Sequence, residues 1–486
     1  MNNGLLSIIG LDGISWPLIS RLNREGILKN YYKYVVRTGL KAINICIPPI
    51  TPPSWNTIFT GVPPEKHGIL GFSKFFKKDG NLLKGFYSSL DIKYPRLNEV
   101  LAINGLSGIV FNYPLSYPLK GWYLKNQVLI YDAFSPRRFI YPKSLENKYI
   151  RYFYYGEYHS FKEHYEALHR VIDGLLKIEN NLQPDFLIAI FREPDNLLHM
   201  HPWIMTGGIT NEWLIKIFEL IDEFIKLVSR RYLYLSTVSD HGFHIFKKAI
   251  HLNRLLIECG LDPSTLYSED LKTMMLNFIS SNVSFYPYLR FLLISSKITR
   301  ENYRRILKNI AKFLGIREAP TSHFKDTTKD YFMDQYDPGD SYYIFFTKRE
   351  LRDRCYNQFK RYVRVCFKDV EKIDINGIYV LKPIPYGNYT FTFIKASKIT
   401  KLIVNTFVHH HHQYGIFTLK GSQTPNKFHI INNIDISPLI LYYLNYPLAS
   451  YFNINLPIVQ DALKNRDTKN YKTIWRIKRK IFWKHI

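Results

Sequence analysis

Four short apolar runs, each ending in polar residues, restrict the possible folds of this chain more than any other feature. They are Leu5 to Leu11 before Asp12-Gly13, and Ser107 to Asn112 before Tyr113-Pro114. The others are Pro184 to Phe191 before Arg192-Glu193-Pro194-Asp195, and Tyr232 to Val238 before Ser239-Asp240-His241-Gly242. Uninterrupted apolar runs of this length suit strands buried on both faces, and strands alternating with helices pair in parallel. The expected fold class is α/β, with a mostly parallel sheet whose polar residues gather along one edge, where open sheets hold their ligands. Helices are expected over Ser15 to Glu25, with Gly26 as the stop, over Phe161 to Ile178, and over Asn211 to Val228.

Within that pattern one stretch stands apart: Thr51-Pro52-Pro53-Ser54-Trp55-Asn56-Thr57-Ile58-Phe59-Thr60-Gly61, continued by Val62-Pro63-Pro64-Glu65-Lys66-His67-Gly68. Thr51 is suited to cap a helix whose first turn contains Pro52. Its hydroxyl would then point into the positive end of the helix dipole, which favours alkoxide or phosphate charge. Alone, this is a capped helix and nothing more.

The strand ends change that reading. Asp12, Thr51, Asp195, His199, Asp240, His241 and one histidine from the run His409 to His412 supply three carboxylates, three imidazoles and a hydroxyl. That is enough for two divalent metal ions. Mixed oxygen and nitrogen ligation suits zinc best, and manganese or iron also fit. Asp195 and His199 stand one helical turn apart, and Asp240 and His241 can turn to one centre where a strand bends. Each residue alone has an ordinary structural explanation; their coincidence at one strand edge after another does not.

From about 262 to 400 the pattern loosens into basic helices and Tyr-rich strands, read here as an inserted cap. The sheet pattern resumes with Lys401 to Val408, the histidine run, and Gly415-Ile416-Phe417, and a helix from Asp435 to Leu444 closes the fold. The expected division is a catalytic core at 1–261 and 401–460, a cap or substrate subdomain at 262–400, and a basic amphipathic tail at 461–486.

Charge bears on partners. The chain carries 66 Lys and Arg against 40 Asp and Glu, a net +26, which favours phosphorylated substrates, nucleic acid or an acidic membrane face. No specific nucleic-acid motif is present. In the tail, Ile474, Ile477 and Ile481 form a helical stripe near Trp475, Phe482 and Trp483, so 464–486 can lie on an acidic membrane or dock on its own domain. The uncharged span from Ile436 to Gln460 contains Pro438, Pro447 and Pro457 with Asn445, Asn453 and Asn455, a poor fit to a transmembrane helix. Cys46, Cys259, Cys355 and Cys366 form no CxxC pair and read as free thiols in a reducing compartment or as core fillers. With no basic n-region before the first apolar run, a cytoplasmic protein is expected.

The motifs together resemble the alkaline phosphatase superfamily, in its type I phosphodiesterase/nucleotide pyrophosphatase branch. Gly10-Leu11-Asp12-Gly13 resembles that family's first ligand motif, and Thr51 to Trp55 with Thr60 to Gly68 resembles its nucleophile segment. Asp195 to His199, Ser239 to Gly242, and His411 four residues before Gly415 resemble the remaining ligand motifs; Asp435-Ile436-Ser437-Pro438 resembles the closing helix. The resemblance spans roughly residues 5 to 450. It implies a three-layer α/β/α sandwich with an inserted cap and hydrolysis of phosphodiester or pyrophosphate bonds through a phosphothreonine on Thr51. The implied ligands are Asp12, Thr51, Asp240 and His241 for one ion, and Asp195, His199 and His411 for the other. His411 is chosen by its spacing to Gly415, with His410 and His412 as alternatives. Ser54 occupies the position where eukaryotic relatives carry an Asn that helps hold a phosphate oxygen.

Other branches fit less well. Sulfatases need Cys or Ser at the position of Thr51 and an Arg where Trp55 stands. Alkaline monoesterases and cofactor-independent phosphoglycerate mutases use Ser. Phosphoethanolamine transferases use Thr but carry transmembrane helices. A phosphomonoesterase, a phosphotransferase of the same superfamily, or a non-catalytic basic nucleic-acid-binding protein are the alternative readings.

Overall fold

The computed structural model describes residues 4–78, 81–119, 125–153, 158, 160–261, 331–333, 342–392, 401–422, 424–452 and 468–483. In chain order it begins with β1 (Gly4–Leu11), α1 (Trp16–Arg24), β2 (Leu40–Ile45), α2 (Thr51–Thr60), α3 (Pro64–His67), and the hairpin β3 (Ser73–Lys78) and β4 (Asn81–Phe86). Then come α4 (Leu97–Ile103), β5 (Gly108–Phe111), β6 (Gln127–Ile130), β7 (Ile140–Tyr141), α5 (Phe161–Leu182), β8 (Phe186–Phe191), α6 (Glu193–Met200), α7 (Glu212–Arg231), β9 (Tyr232–Val238), β10 (Gly242–His251) and α8 (Leu252–Glu258). The remainder comprises β11 (Tyr331–Met333), β12 (Ile344–Phe346), α9 (Arg349–Lys360), β13 (Phe367–Ile375), β14 (Ile378–Pro385), β15 (Tyr389–Thr392), β16 (Ile403–His412), β17 (Tyr414–Lys420), β18 (Phe428–Asn432), α10 (Ile436–Tyr443) and α11 (Tyr471–Trp483).

The central sheet has the order β18-β2-β17-β9-β1-β8-β5-β6-β7. Its middle, β9-β1-β8-β5-β6, is wholly parallel, while β17 runs antiparallel between β9 and β2, and β7 antiparallel to β6. The expected parallel sheet is there, and all six residues of β8 are buried, as a central strand requires. Burying each such side chain stabilises the fold by about 1.5–3 kcal/mol.

Two helical layers follow from strand alternation. Leu11 and Phe191 are partners in register, and Phe191 meets the α7 ring of Phe224 edge-on at 5.5 Å. One residue earlier, a Cβ on Gly10 would lie 2.7 Å from the Trp55 ring of α2. Successive residues of a strand face opposite sides, so α7 and α2 cover opposite faces of an α/β/α sandwich. α5 packs beside α7, and α10 beside α2.

Element edges shift modestly. The helix expected to end at Ile178 continues to Leu182, and the one expected to end at Val228 continues to Arg231. The larger correction concerns 401–412. β16 does not rejoin the central sheet; it pairs antiparallel with β10, with Phe243 opposite His411, in a separate three-stranded sheet of order β15-β10-β16. The chain returns to the central sheet with β17 and then β18. The physical reason is that β10 leaves the sheet at Gly242 with an open edge, which β16 fills.

Of the expected insert, 262–330, 334–341 and 393–400 lie outside the described residues. Apart from β15, which pairs with β10, the remainder forms the antiparallel sheet β11-β12-β14-β13 with α9 packed on it, around a second hydrophobic cluster containing Ile344, Phe359, Phe367 and Leu381. Ile50, Leu70 and Phe75 belong to that same cluster, so it reaches the segment on either side of α2 and α3. In the tail, Tyr471 and Trp475 are buried and α11 packs on α4, whereas Ile477 is 53% exposed; 461–467 and 484–486 lie outside the described residues. Of the uncharged span, Ile436 and Leu439 to Leu441 are buried in the main core, and 453–460 again fall outside. Among the described residues no helix is long and apolar enough to cross a membrane.

Candidate active site and metal centre

Every expected site residue falls at one edge of the central sheet. Asp12 follows β1, Asp240 and His241 follow β9, and Asp195 and His199 lie on α6, directly after β8. β1 lies between β8 and β9, which brings these three strand ends side by side. Thr51 opens α2, a few residues after β2, and His411 reaches in from β16.

Thr51 differs in one respect from expectation. It is the first residue of α2, not its cap; Ile50 holds that position in an extended conformation, its carbonyl accepting from the Ser54 amide at 2.9 Å, with no side-chain cap. The Thr51 hydroxyl lies 3.4 Å from Nε2 of His241. Ser54, expected as a phosphate donor, is fully buried and donates to the Asp240 carbonyl at 2.5 Å, tying α2 to the loop that carries Asp240 and His241.

The imidazoles are oriented by carbonyls. Nδ1 of His241 donates to the Gly242 carbonyl at 3.0 Å, and Nδ1 of His411 donates to that of Pro49 at 3.2 Å. A carbonyl can only accept, so Nδ1 carries the hydrogen in both rings, and in the neutral ring Nε2 carries the lone pair. Nε2 of His241 faces Asp240 Oδ2 at 3.3 Å and Asp12 Oδ1 at 3.5 Å. Nε2 of His411 faces Asp195 Oδ1 at 3.4 Å and Nε2 of His199 at 2.8 Å. His410 and His412 are turned elsewhere: Nδ1 of His410 accepts from the His411 amide, and Nε2 of His412 donates to the Gly387 carbonyl.

Carboxylate oxygens and imidazole nitrogens thus converge on a small buried space. Asp12 Oδ1, Asp195 Oδ1 and Asp240 Oδ2 are buried, and no donor reaches them with hydrogen-bond geometry. Buried acceptors left in this state cost free energy, which a cation would relieve. Two groups of donors lie close enough for an ion: Asp195, His199 and His411, and Asp12, Asp195 and His241, each set of ligand atoms within 4.8 Å. Asp195 belongs to both, between the two centres. The residues therefore fit divalent metal, and their mix of carboxylate and imidazole suits zinc.

The electrostatics agree. Burial, then repulsion from Asp195, raises the Asp12 carboxyl to about 7, with Arg192 partly opposing. Burial and the neighbouring Asp12 hold Asp240 well above the usual carboxylate range. Burial also acts to raise Asp195, but His199 and His411 outweigh it and hold that carboxyl low. His241 is pushed well below its ordinary value by burial and by His411, so it stays neutral and able to ligate. Asp12, Asp240 and His241 are buried while the His199 side chain is 35% exposed, so the site opens on the His199 side.

Several supporting residues were not singled out from sequence. Trp55 donates its indole N–H to Asp12 Oδ2 at 3.4 Å, and the Gly13 amide donates to Asp240 Oδ1 at 3.3 Å. Gly13 has φ +70°, and a Cβ there would meet Asp195 Oδ1 at 2.8 Å, so the residue after Asp12 must be glycine. Asn44 donates to the Ser239 carbonyl at 2.9 Å, fixing the end of β9. Nε2 of His67 donates to Thr57 Oγ1 at 3.0 Å while its Nδ1 accepts from the Ile69 amide, bracing α2 from α3. Trp55 carried a signal, since one helical turn separates it from Thr51; the others depend on folded contacts.

No curated protein matches the chain. Among solved structures, phosphonoacetate hydrolase from Sinorhizobium meliloti 1021 is similar at 12% identity and a TM-score of 0.54, over 91% of this chain and 95% of that one. Murine ectonucleotide pyrophosphatase/phosphodiesterase 5 is 15% identical, with a TM-score of 0.47 over 94% and 99% of the respective chains. The first of these supports the fold alone. The family model described as type I phosphodiesterase / nucleotide pyrophosphatase matches residues 6–341, more than half of the sequence and all of the strand-end motifs up to His241. With its sheet, its nucleophile-like helix and its carboxylate and histidine cluster in place, the chain belongs to the type I phosphodiesterase / nucleotide pyrophosphatase family.

Proposed function

We propose that this hydrolase of phosphodiester or pyrophosphate bonds works through Thr51 as its nucleophile, with two divalent metal ions, zinc by preference. The observation that carries the reading is the Thr51 hydroxyl at the mouth of α2, 3.4 Å from His241 Nε2 and beside buried carboxylate oxygens that accept no hydrogen bond. Asp12, Asp240, His241 and Thr51 would hold one ion, and Asp195, His199 and His411 the other. Such ions acidify a bound hydroxyl and neutralise charge developing on phosphate oxygens.

The chain's own groups do the rest. The N-terminus of α2 favours negative charge on the Thr51 oxygen and on an approaching phosphoryl group. In-line attack forms the bond from Thr51 Oγ1 to phosphorus and breaks the bond to the leaving oxygen, which departs as an alcohol or phosphate after taking up a proton. Water then cleaves the phosphothreonine, restoring the hydroxyl and releasing the phosphoryl product. Neutral His241, fixed by Gly242, keeps its orientation through both steps. The substrate class is a phosphodiester or nucleotide-like small molecule. Residues 464–486 could add contact with an acidic membrane, which the exposed Ile477 favours and the buried Trp475 opposes.

The test is rapid acid quenching during turnover of bis-p-nitrophenyl phosphate, followed by peptide mass spectrometry. A phosphoryl group on Thr51 is expected; turnover with no modified Thr51 peptide at any quench time, under conditions that preserve phosphothreonine, would refute the covalent route.

A further inference from the structure

The segment Pro63-Pro64-Glu65-Lys66-His67-Gly68 supplies none of the proposed ligands, yet its single carboxylate, Glu65, is held by the inserted sheet. Glu65 Oε1 accepts from Lys382 Nζ at 2.8 Å and from the Tyr343 hydroxyl at 2.9 Å. Lys382, on β14, also pairs with Glu371 of β13 at 3.1 Å. Lys382 and Tyr343 are buried, at 7% and 3% exposure. Burial acts to raise Glu65, but the Lys382 ammonium outweighs it and holds the carboxyl low; in return Glu65 and Glu371 keep Lys382 charged against its own burial.

This cluster is connected to the catalytic helix by two routes. Glu65 lies on α3, and His67 of the same helix bonds to Thr57 on α2. Ile50, directly before Thr51, is packed in the hydrophobic cluster of the inserted sheet together with Leu70 and Phe75. The inserted sheet thus grips the nucleophile segment before and after α2. Buried ion pairs of this kind add little net stability over an apolar replacement, but they fix one arrangement because breaking one strands a charge. A weak gain in stability at a buried position points to a role in register.

We propose that Lys382 is a positioning residue for substrate recognition: it locks β11–β14 onto α3, so that the wall contacting the larger group on a substrate's phosphorus stays aligned with Thr51. The proposal rests on the assignment of Thr51 as nucleophile. A phosphorus substituent large enough to touch the inserted sheet depends on this alignment, whereas a small one does not.

The experiment compares thymidine 5′-monophosphate p-nitrophenyl ester with methyl p-nitrophenyl phosphate on the metal-loaded full chain. Each diester releases p-nitrophenolate, so the two differ only in the group that remains on phosphorus. Lys382→Met should raise KM for the nucleotide diester by about tenfold, with KM for the small diester changed less than about twofold and its kcat kept. Lys382→Arg should restore most of the loss. Tyr343→Phe, which removes one hydrogen bond to Glu65 and leaves the ion pair, gives a smaller change in the same direction and serves if Lys382→Met does not fold. Lys360→Met, at an exposed ion pair with Asp369 on the same sheet, is the control. Equal losses on large and small substrates, or no loss in either variant, would overturn the proposal. Failure of the Thr51 assignment would appear separately, as an active Thr51→Ala enzyme.

Discussion

Nε2 of His241 stands 3.4 Å from the Thr51 hydroxyl, and Nδ1 of the same ring is bonded to the Gly242 carbonyl. The ring cannot rotate to offer its N–H without losing that bond. It therefore presents a lone pair beside the hydroxyl, next to two aspartates, which is how a ligand is arranged rather than a spectator histidine.

Thr51→Ala should remove turnover and little else. The side chain caps no helix, and loss of a true cap costs only about 1 kcal/mol. Turnover of bis-p-nitrophenyl phosphate is expected to fall at least about a thousandfold, with Tm shifted by less than about 4 °C. Thr51→Ser, which keeps the hydroxyl, should retain part of the rate. Near wild-type activity in Thr51→Ala would end the covalent assignment.

The carboxylate cluster predicts how pH acts on chelator-stripped protein. Asp12, raised by burial and Asp195 to about 7, and Glu193, raised by burial to about 7, hold protons in the folded state that the unfolded chain has already released. Where the folded state binds more protons, stability falls as pH rises, here across the interval from about pH 4 to 7. Asp195, held low, titrates below that interval, whereas His241, His67 and His251, kept neutral by burial, act in the opposite direction up to about pH 6.5, the ordinary histidine value. Between about pH 6.5 and 7.5, where these histidines are neutral in both states, stripped protein should therefore lose stability, and the gain in Tm on adding zinc should grow over the same range. Calorimetry with and without metal checks both; a zinc-induced gain that shrinks as pH rises would contradict the assignment.

The sheet was legible because its strands are buried on both faces and so read as unbroken apolar runs. Asp12, Asp195, His199, Asp240 and His241 were legible because each follows such a run. What escaped depends on contacts far apart in sequence. Ser54 reads as a substrate donor until Asp240's carbonyl is found above it. β16 reads as a strand of the central sheet because Lys401 to Val408 is a largely apolar run; only its pairing with β10 shows that it belongs elsewhere. Trp55, noted only as a substitute for Arg, proves to hold Asp12.

Among the four consecutive histidines, the geometry separates roles that spacing alone left open. His411→Ala should lower bound metal and reduce kcat/KM by at least about a hundredfold, since it removes a ligand beside Asp195. His412→Ala should leave metal content unchanged, because its Nε2 is bonded to Gly387 on the other side of β16. Metal analysis of the two purified variants distinguishes them. Equal metal loss in both would mean that the ligand has been misassigned.

Substrate charge is the last point on which the site makes a forecast. A monoester brings one more negative charge to the transferring phosphoryl group than a diester, and enzymes that favour monoesters meet it with a cation beside the nucleophile. α2 carries no Arg or Lys at all from Thr51 to Thr60. Arg192, at the end of β8, does bring positive charge to this edge, but that charge acts on Asp12, where burial and Asp195 have already raised the carboxyl. The expected preference is for the diester, by at least about tenfold in kcat/KM, equivalent to roughly 1.4 kcal/mol of differential transition-state stabilisation. Bis-p-nitrophenyl phosphate and p-nitrophenyl phosphate, assayed side by side at equal metal loading, measure it. A monoester preference that disappears in Arg192→Met would instead assign that guanidinium to the phosphate and place the chain among phosphomonoesterases in activity.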